Sequence, residues 1–179
     1  MQSTTSLQPL RLSEVPEIAA LANSIWREHY TKIISNAQIE YMLQRKYTQA
    51  DLQPYVGGTD RWFDVLRFEG TAIGFLRSSR TTPNELKIEE VYLSESQRSK
   101  GFGKLLLSHA EALARKLGCT TILLYVNRRN EQAIRAYRNT GYFVIEEKDF
   151  DIGNGFVMDD YLMEKSLVAA SGSAGDPSN

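Results

Sequence analysis

The sequence predicts an α/β protein built on one mixed, mostly antiparallel sheet of about seven strands, with helices before it and between its later strands. Three observations carry this reading. From Ser13 to Tyr55 apolar residues recur at helical spacing. From Arg61 to Leu93 the period drops to two, with turn residues separating three runs. Beyond Gly101 amphipathic and β-branched segments alternate. At ~100–200 residues per domain, a chain of 179 residues makes one domain, placed here at residues 9–168. Residues 1–8 are polar and 169–179 end in Ser-Gly-Ser-Ala-Gly-Asp-Pro-Ser-Asn, so both ends are expected to be flexible.

The elements follow in order. Leu10 to Leu12 reads as a short opening strand. Ser13 stands as N-cap before Ile18, Leu21, Ala22 and Ile25 at helical spacing. Ser35-Asn36-Ala37-Gln38 has the form of a capping box, and Ile39, Met42 and Leu43 supply one apolar face behind it. Thr48 to Tyr55 holds a further turn or two, ended by Pro54 and the Gly57-Gly58 pair. Arg61 to Phe68 and Thr71 to Ser78 form a hairpin about Glu69-Gly70, and Leu86 to Leu93 adds a third strand after Pro83-Asn84. Gly101 to Leu117 is an amphipathic helix with Leu106, Ala110, Leu113 and Leu117 in one stripe and Gly118 as its stop. Thr121 to Val126 is a strand and Glu131 to Asn139 a helix stopped by Gly141. Tyr142 to Lys148 and Phe156 to Met163 close the chain as a hairpin about Gly153-Asn154-Gly155.

Composition narrows the function. Cys119 is the sole cysteine and His29 and His109 are the two histidines, which excludes intrachain disulfides and leaves no cysteine cluster or paired histidines for a metal. No metal is therefore expected. The 21 basic and 22 acidic residues leave a net charge of −1, so no global field draws in nucleic acid or an anionic membrane. No apolar run reaches the ~18 residues of a membrane span and no signal pattern opens the chain, so a cytoplasmic location is expected.

The most specific stretch is Arg98-Ser99-Lys100-Gly101-Phe102-Gly103-Lys104, between a strand and a helix. Two glycines let successive N–H groups converge, and the following helix aims its positive end at the same point. Arg98, Lys100 and Lys104 add local positive charge, so the loop suits a pyrophosphate. A dinucleotide fold would want a third glycine where Leu106 stands, and a nucleotide P-loop would want Ser or Thr where Leu105 stands.

After the strand at Thr121 to Val126 comes Asn130-x-x-Ala133-x-x-x-Tyr137-x-x-x-Gly141-Tyr142. Together with Arg-x-x-Gly-x-Gly at Arg98 to Gly103, this resembles the GCN5-related N-acetyltransferase (GNAT) superfamily from about Leu86 to about Met163. The resemblance implies a sheet with helices on both faces and two parallel strands, Ile88 to Leu93 and Thr121 to Val126, that splay apart. It also implies acetyl-CoA as co-substrate. Its phosphates would lie on Arg98, Ser99, Lys100, Gly101, Phe102, Gly103 and Lys104. Its pantetheine arm would lie along the backbone of Val91, Tyr92 and Leu93, whose N–H groups polarise the thioester carbonyl. Asn130 would bond the arm or cap the next helix, and Tyr137 would protonate the leaving thiolate as general acid. The alternative for Tyr137 is simple packing against Ile134.

The amine must also lose a proton. Glu89 and Glu90 are adjacent, and strand alternation sends them to opposite faces, so only one can serve. Glu89, expected to share its face with Val91 and Leu93, is preferred, and the alternative is that neither acts. Trp26, Tyr30 and Tyr41 are expected either in the core or on the acceptor wall. His109 reads as a flank residue and Cys119 as a packing residue. Asp149, Asp151, Asp159 and Asp160 gather at the last hairpin, and Asp151-Ile152-Gly153 with Met158 to Lys165 resembles bacterial PaiA-type polyamine acetyltransferases. The expected partner is thus a small-molecule or peptide amine, with a homodimer possible by resemblance. A non-catalytic CoA-binding sensor is the alternative.

Overall fold

The computed structural model describes residues 4–168. Its elements are β1 (Thr5–Pro9), α1 (Val15–His29), α2 (Asn36–Leu43), α3 (Gln49–Leu52), β2 (Arg61–Phe68), β3 (Thr71–Thr82), β4 (Glu85–Leu93), α4 (Phe102–Lys116), β5 (Thr121–Asn127), α5 (Glu131–Asn139), β6 (Phe143–Gly153) and β7 (Phe156–Ser166). The seven strands form one sheet in the order β1-β2-β3-β4-β5-β7-β6. β4 and β5 run parallel, and every other neighbouring pair is antiparallel.

The front end departs from the sequence reading. The opening strand is Thr5–Pro9, paired with β2 from Thr5↔Phe68 to Pro9↔Asp64, so part of the segment expected to be flexible is an edge strand. Leu10 is instead a buried core residue, and Leu12–Glu14 is a 3-10 turn. The cause is non-local: β2 offers Thr5–Pro9 a partner that no local pattern announces. Ser13 does not cap α1. Glu14 holds that position, with Pro16 in the first turn where its missing N–H costs nothing. The 169–179 tail lies outside the described residues.

Strands β3, β6 and β7 run past their expected ends, to Thr82, Gly153 and Ser166, because each has a pairing partner along that length. Local chemistry sets the helix bounds instead. Ser35 accepts from the Gln38 N–H at 3.2 Å and starts α2. Gly118 and Gly141 both take positive φ, 77° and 92°, where α4 and α5 end. On α4 the fully buried stripe is Leu106, Leu107, Ala110 and Ala114, with Leu113 and Leu117 packed at its margin.

The sheet separates two cores. On one side α4 and α5 cover Leu76, Leu86, Ile88, Ile122, Leu124 and Met163. On the other α1, α2 and α3 cover Phe63, Val65 and Phe75 with Ile18, Trp26, Ile39 and Leu52. Among the described residues no helix is long and apolar enough to cross a membrane.

Candidate active site

The site begins where two strands part. β4 and β5 pair from Glu85↔Thr121 to Ile88↔Leu124 and no further, although β4 continues to Leu93 and β5 to Asn127. The facing edges beyond that point keep backbone donors and acceptors that the parallel ladder does not use. A cavity of about 1050 Å³ opens there, lined by Glu89 to Leu93, Tyr125 to Asn127 and the starts of α4 and α5.

A β-bulge sets what β4 presents to this cavity. Register runs Arg77↔Glu90 and then Ser78↔Ile88, so Glu89 is an extra residue opposite the Arg77–Ser78 step. The bulge overturns the alternation expected from sequence. Val91 and Leu93 pack with the α4 core and Tyr92 with the α1 core, while Glu89 and Glu90 both line the cavity. Glu89 therefore does not share the face of Val91 and Leu93, and the two carboxylates are not on opposite sides.

Both glutamates are held by donors. Glu89 accepts from the Tyr55 hydroxyl at 2.5 Å and the Ser79 hydroxyl at 2.8 Å, with the Arg77 Nε at 3.2 Å. Arg77 also forks onto Asp51 at 2.8 and 3.1 Å. Glu90, 6% exposed, accepts from Lys46 Nζ at 2.5 Å and the Tyr47 hydroxyl at 3.1 Å. This network of Lys46, Tyr47, Asp51, Tyr55 and Arg77 has no local signal, because its members come from α3, the loops beside it, β3 and β4.

The glycine loop lies at one end of the cavity. Ser99 and Gly101 take positive φ, 60° and 88°, and Gly101 caps α4. Alternating left-handed residues shape a concave run of amides suited to an anion. Arg98, Ser99, Gly103 and Lys104 line the cavity. Lys100 instead reaches Gln97 at 3.2 Å, and the Phe102 ring packs edge-on against Phe68. Arg98 Nη1 lies 3.2 Å from His29 Nδ1. Burial first, and the Arg98 charge second, lower the His29 pKa, so this ring accepts rather than carries charge at neutral pH.

Across the mouth, Asn130 is 7% exposed and caps α5 through the Ala133 N–H at 3.3 Å. Tyr137 lines the cavity about two turns further along the same face of α5, and burial raises its phenol well above the ordinary tyrosine value. Such a phenol stays protonated through the physiological range. Tyr30 and Tyr92 bring their hydroxyls to 3.3 Å inside the cleft, and Trp26, beneath them, is a core residue that donates to Tyr47 at 3.1 Å. Tyr41 does not line the cavity; its hydroxyl donates to the Ile152 carbonyl at 2.9 Å. His109 meets the buried Asp64 at 3.1 Å.

These residues fit an extended acyl carrier with phosphates at one end. Strand edges beyond the parallel ladder, left-handed amides with Arg98 and Lys104 beside them, and a protonated phenol all face one cavity. The sequence matches the Acetyltransferase (GNAT) family over residues 18–142. The chain belongs to that family. As a member of it, this GNAT protein is an acyltransferase. It is 27% identical to a spermidine N(1)-acetyltransferase of Thermoplasma acidophilum, over 86% of this chain and 94% of that one. It is 26% identical to an uncharacterised N-acetyltransferase of Lactobacillus delbrueckii subsp. lactis, over 92% and 99%. Among solved structures, the PaiA N-acetyltransferase of Thermoplasma acidophilum in complex with coenzyme A superposes with a TM-score of 0.76 at 25% identity, covering 91% of this chain and 99% of that one.

Proposed function

We propose that this GNAT protein moves an acetyl group from acetyl-CoA directly to a primary amine, with both substrates bound together and a polyamine such as spermidine as acceptor. The observation that carries this is the convergence of the β4/β5 splay, the Arg98 to Lys104 loop and Tyr137 on one cavity. Acetyl-CoA supplies an activated thioester. Arg98, Ser99, Lys104 and the backbone of Gly101 and Gly103 hold its phosphates, and the backbone of Val91, Tyr92 and Leu93 holds its arm and polarises the carbonyl. Asn130 fixes the start of α5 and thereby places Tyr137.

The amine nitrogen forms a bond to the acyl carbon as the carbon–sulfur bond breaks. Tyr137 gives its phenolic proton to the departing thiolate and recovers one from the nitrogen that has attacked. The acceptor end favours a cation. Away from the glycine loop the wall carries Asp51, Glu89, Glu90, Asp151 and Asp160 against Lys46, Arg77 and Lys87, an excess of carboxylates, and the related spermidine acetyltransferase shares most of the chain length. A homodimer is proposed through the free edge of β6, where Phe143 and Ile145 are about half exposed.

Free thiol release from acetyl-CoA, measured with spermidine, spermine, putrescine, aminoglycosides, amino acids and short peptides, tests the reading. Release that depends on polyamine supports it. Tight acetyl-CoA binding by calorimetry with no amine-dependent release points instead to a CoA sensor.

A further inference from the structure

One buried carboxylate at the acceptor end keeps an oxygen that no donor among the described residues satisfies. Asp160, on β7 opposite Asn127, is 8% exposed and lines the cavity. Its Oδ1 is buried and, among the described residues, has no hydrogen-bond partner. Its neighbour Asp159 differs, since Arg128 binds it directly. Keeping an unpartnered carboxylate oxygen inside a fold is unfavourable. Its retention at the wall of a cleft marks a place where a ligand supplies the missing donor.

Glu89 and Glu90 are poorer candidates for receiving a proton. Their oxygens already accept from Tyr55, Ser79, Lys46 and Tyr47, with the Arg77 guanidinium 3.2 Å from Glu89, so a proton arriving there displaces an existing donor or opposes an existing charge. Asp160 has an oxygen to spare. Its place is also suitable: its charge is felt by the buried Tyr30 phenol, and Tyr30 meets Tyr92 at 3.3 Å beside the splayed backbone. Burial, and then the charge of Asp159, push the Asp160 carboxyl up to about 6, with Asp149 adding to the rise and Asn127 opposing it. Such a group is ionised at neutral pH yet basic enough to exchange protons there. Across the β6/β7 ladder Lys148 stands opposite Asp160, with its Nζ 3.8 Å from Glu146, and the charges of Glu90 and Arg98 act with that of Asp160 on the Tyr30 phenol.

We propose that Asp160 is the proton acceptor of the reaction: its Oδ1 receives the substrate ammonium and removes the proton that frees the nitrogen lone pair. The proposal rests on the N-acetyltransferase reading above. An ammonium loses two protons on becoming an amide. Asp160 takes the first and releases it to solvent, and the second replaces the proton that Tyr137 gives to the thiolate.

The test compares wild type, Asp160→Asn, Asp160→Glu and Glu89→Gln on spermidine and acetyl-CoA, from about pH 5 to about pH 10. Wild-type turnover should level off above about pH 7, one unit past the Asp160 carboxyl. D160N should lose ~100-fold at neutral pH and keep climbing toward the ~10 of an ordinary alkylammonium. D160E should recover part of the loss, E89Q should weaken spermidine binding without moving the pH at which turnover levels off, and acetyl-CoA affinity by calorimetry should match wild type in the three variants. A D160N rate within about threefold of wild type at neutral pH overturns the role. So does a loss that lies wholly in acetyl-CoA binding, or a D160N protein that melts lower than wild type at pH 8. A wild type that acetylates no amine overturns the acetyltransferase reading itself, and the assignment of Asp160 falls with it.

Discussion

Tyr137 shows how much a single residue can disclose. Its spacing from Asn130 and Gly141 was legible because cap, ring and stop all lie on one short helix, α5, whose geometry is local. Its environment was not, since the burial that raises its phenol comes from packing against the rest of the cleft. Tyr137→Phe keeps the ring and removes the proton. The expected result is a fall in kcat of ~100-fold with acetyl-CoA affinity unchanged, read by steady-state kinetics beside calorimetry; an unchanged kcat removes Tyr137 from the chemistry. Glu89 teaches the converse. Period-two alternation assigned it a face, and the bulge opposite Arg77 and Ser78 reassigned it. Bulges belong to a strand pair, so neither strand's own pattern records one.

At the scale of the element, the approach of β3 to β4 shapes the cleft. Gly74 lies opposite Leu93, and a Cβ there would stand 2.5 Å from the Tyr92 carbonyl oxygen and 3.0 Å from Leu93 Cδ1. The contact is with backbone that is proposed to hold the pantetheine arm, so a side chain at 74 must push β4 toward the cavity. Gly74→Ala is expected to cost about 1–3 kcal/mol in stability. It should also weaken acetyl-CoA binding by about tenfold, a loss of ~1.4 kcal/mol, with calorimetry and chemical denaturation reading the two effects. Loss of stability alone would confine Gly74 to packing. The start of α2 and both ends of α4 and α5 were readable in sequence because a cap or a glycine stop acts within one turn. β1 was misplaced because an edge strand is defined by its partner, and its half-exposed, polar pattern carries little periodic signal.

Over the whole molecule, the sheet separates an α4/α5 side from an α1/α2/α3 side, and the cavity opens at the gap between β4 and β5. The alternation of helical and strand periods made this architecture legible. The charge distribution was only half legible. The basic loop at Arg98 to Lys104 is contiguous in sequence, whereas the acidic end assembles Glu89, Glu90, Asp151 and Asp160 from three strands. That assembly has a consequence for stability. Asp160 titrates near 6 in the fold against 3.8 for an unperturbed aspartate, so the folded state binds its proton more tightly. The resulting stabilisation is full below the unperturbed value and is lost as pH rises through about 6. Asp160→Asn removes that dependence. Its melting temperature should exceed that of wild type by a few degrees at pH 8 and converge with it near pH 4, and equal melting temperatures at both would mean that Asp160 is solvated.

The most direct measurement of the central claim is mass spectrometry of spermidine incubated with acetyl-CoA and the purified protein, with thiol release followed in parallel. The expected result is one acetyl group on the polyamine for each thiol released, lost when either substrate is omitted. Thiol release that does not depend on amine, or no acetylated product with spermidine or any other amine, would contradict it.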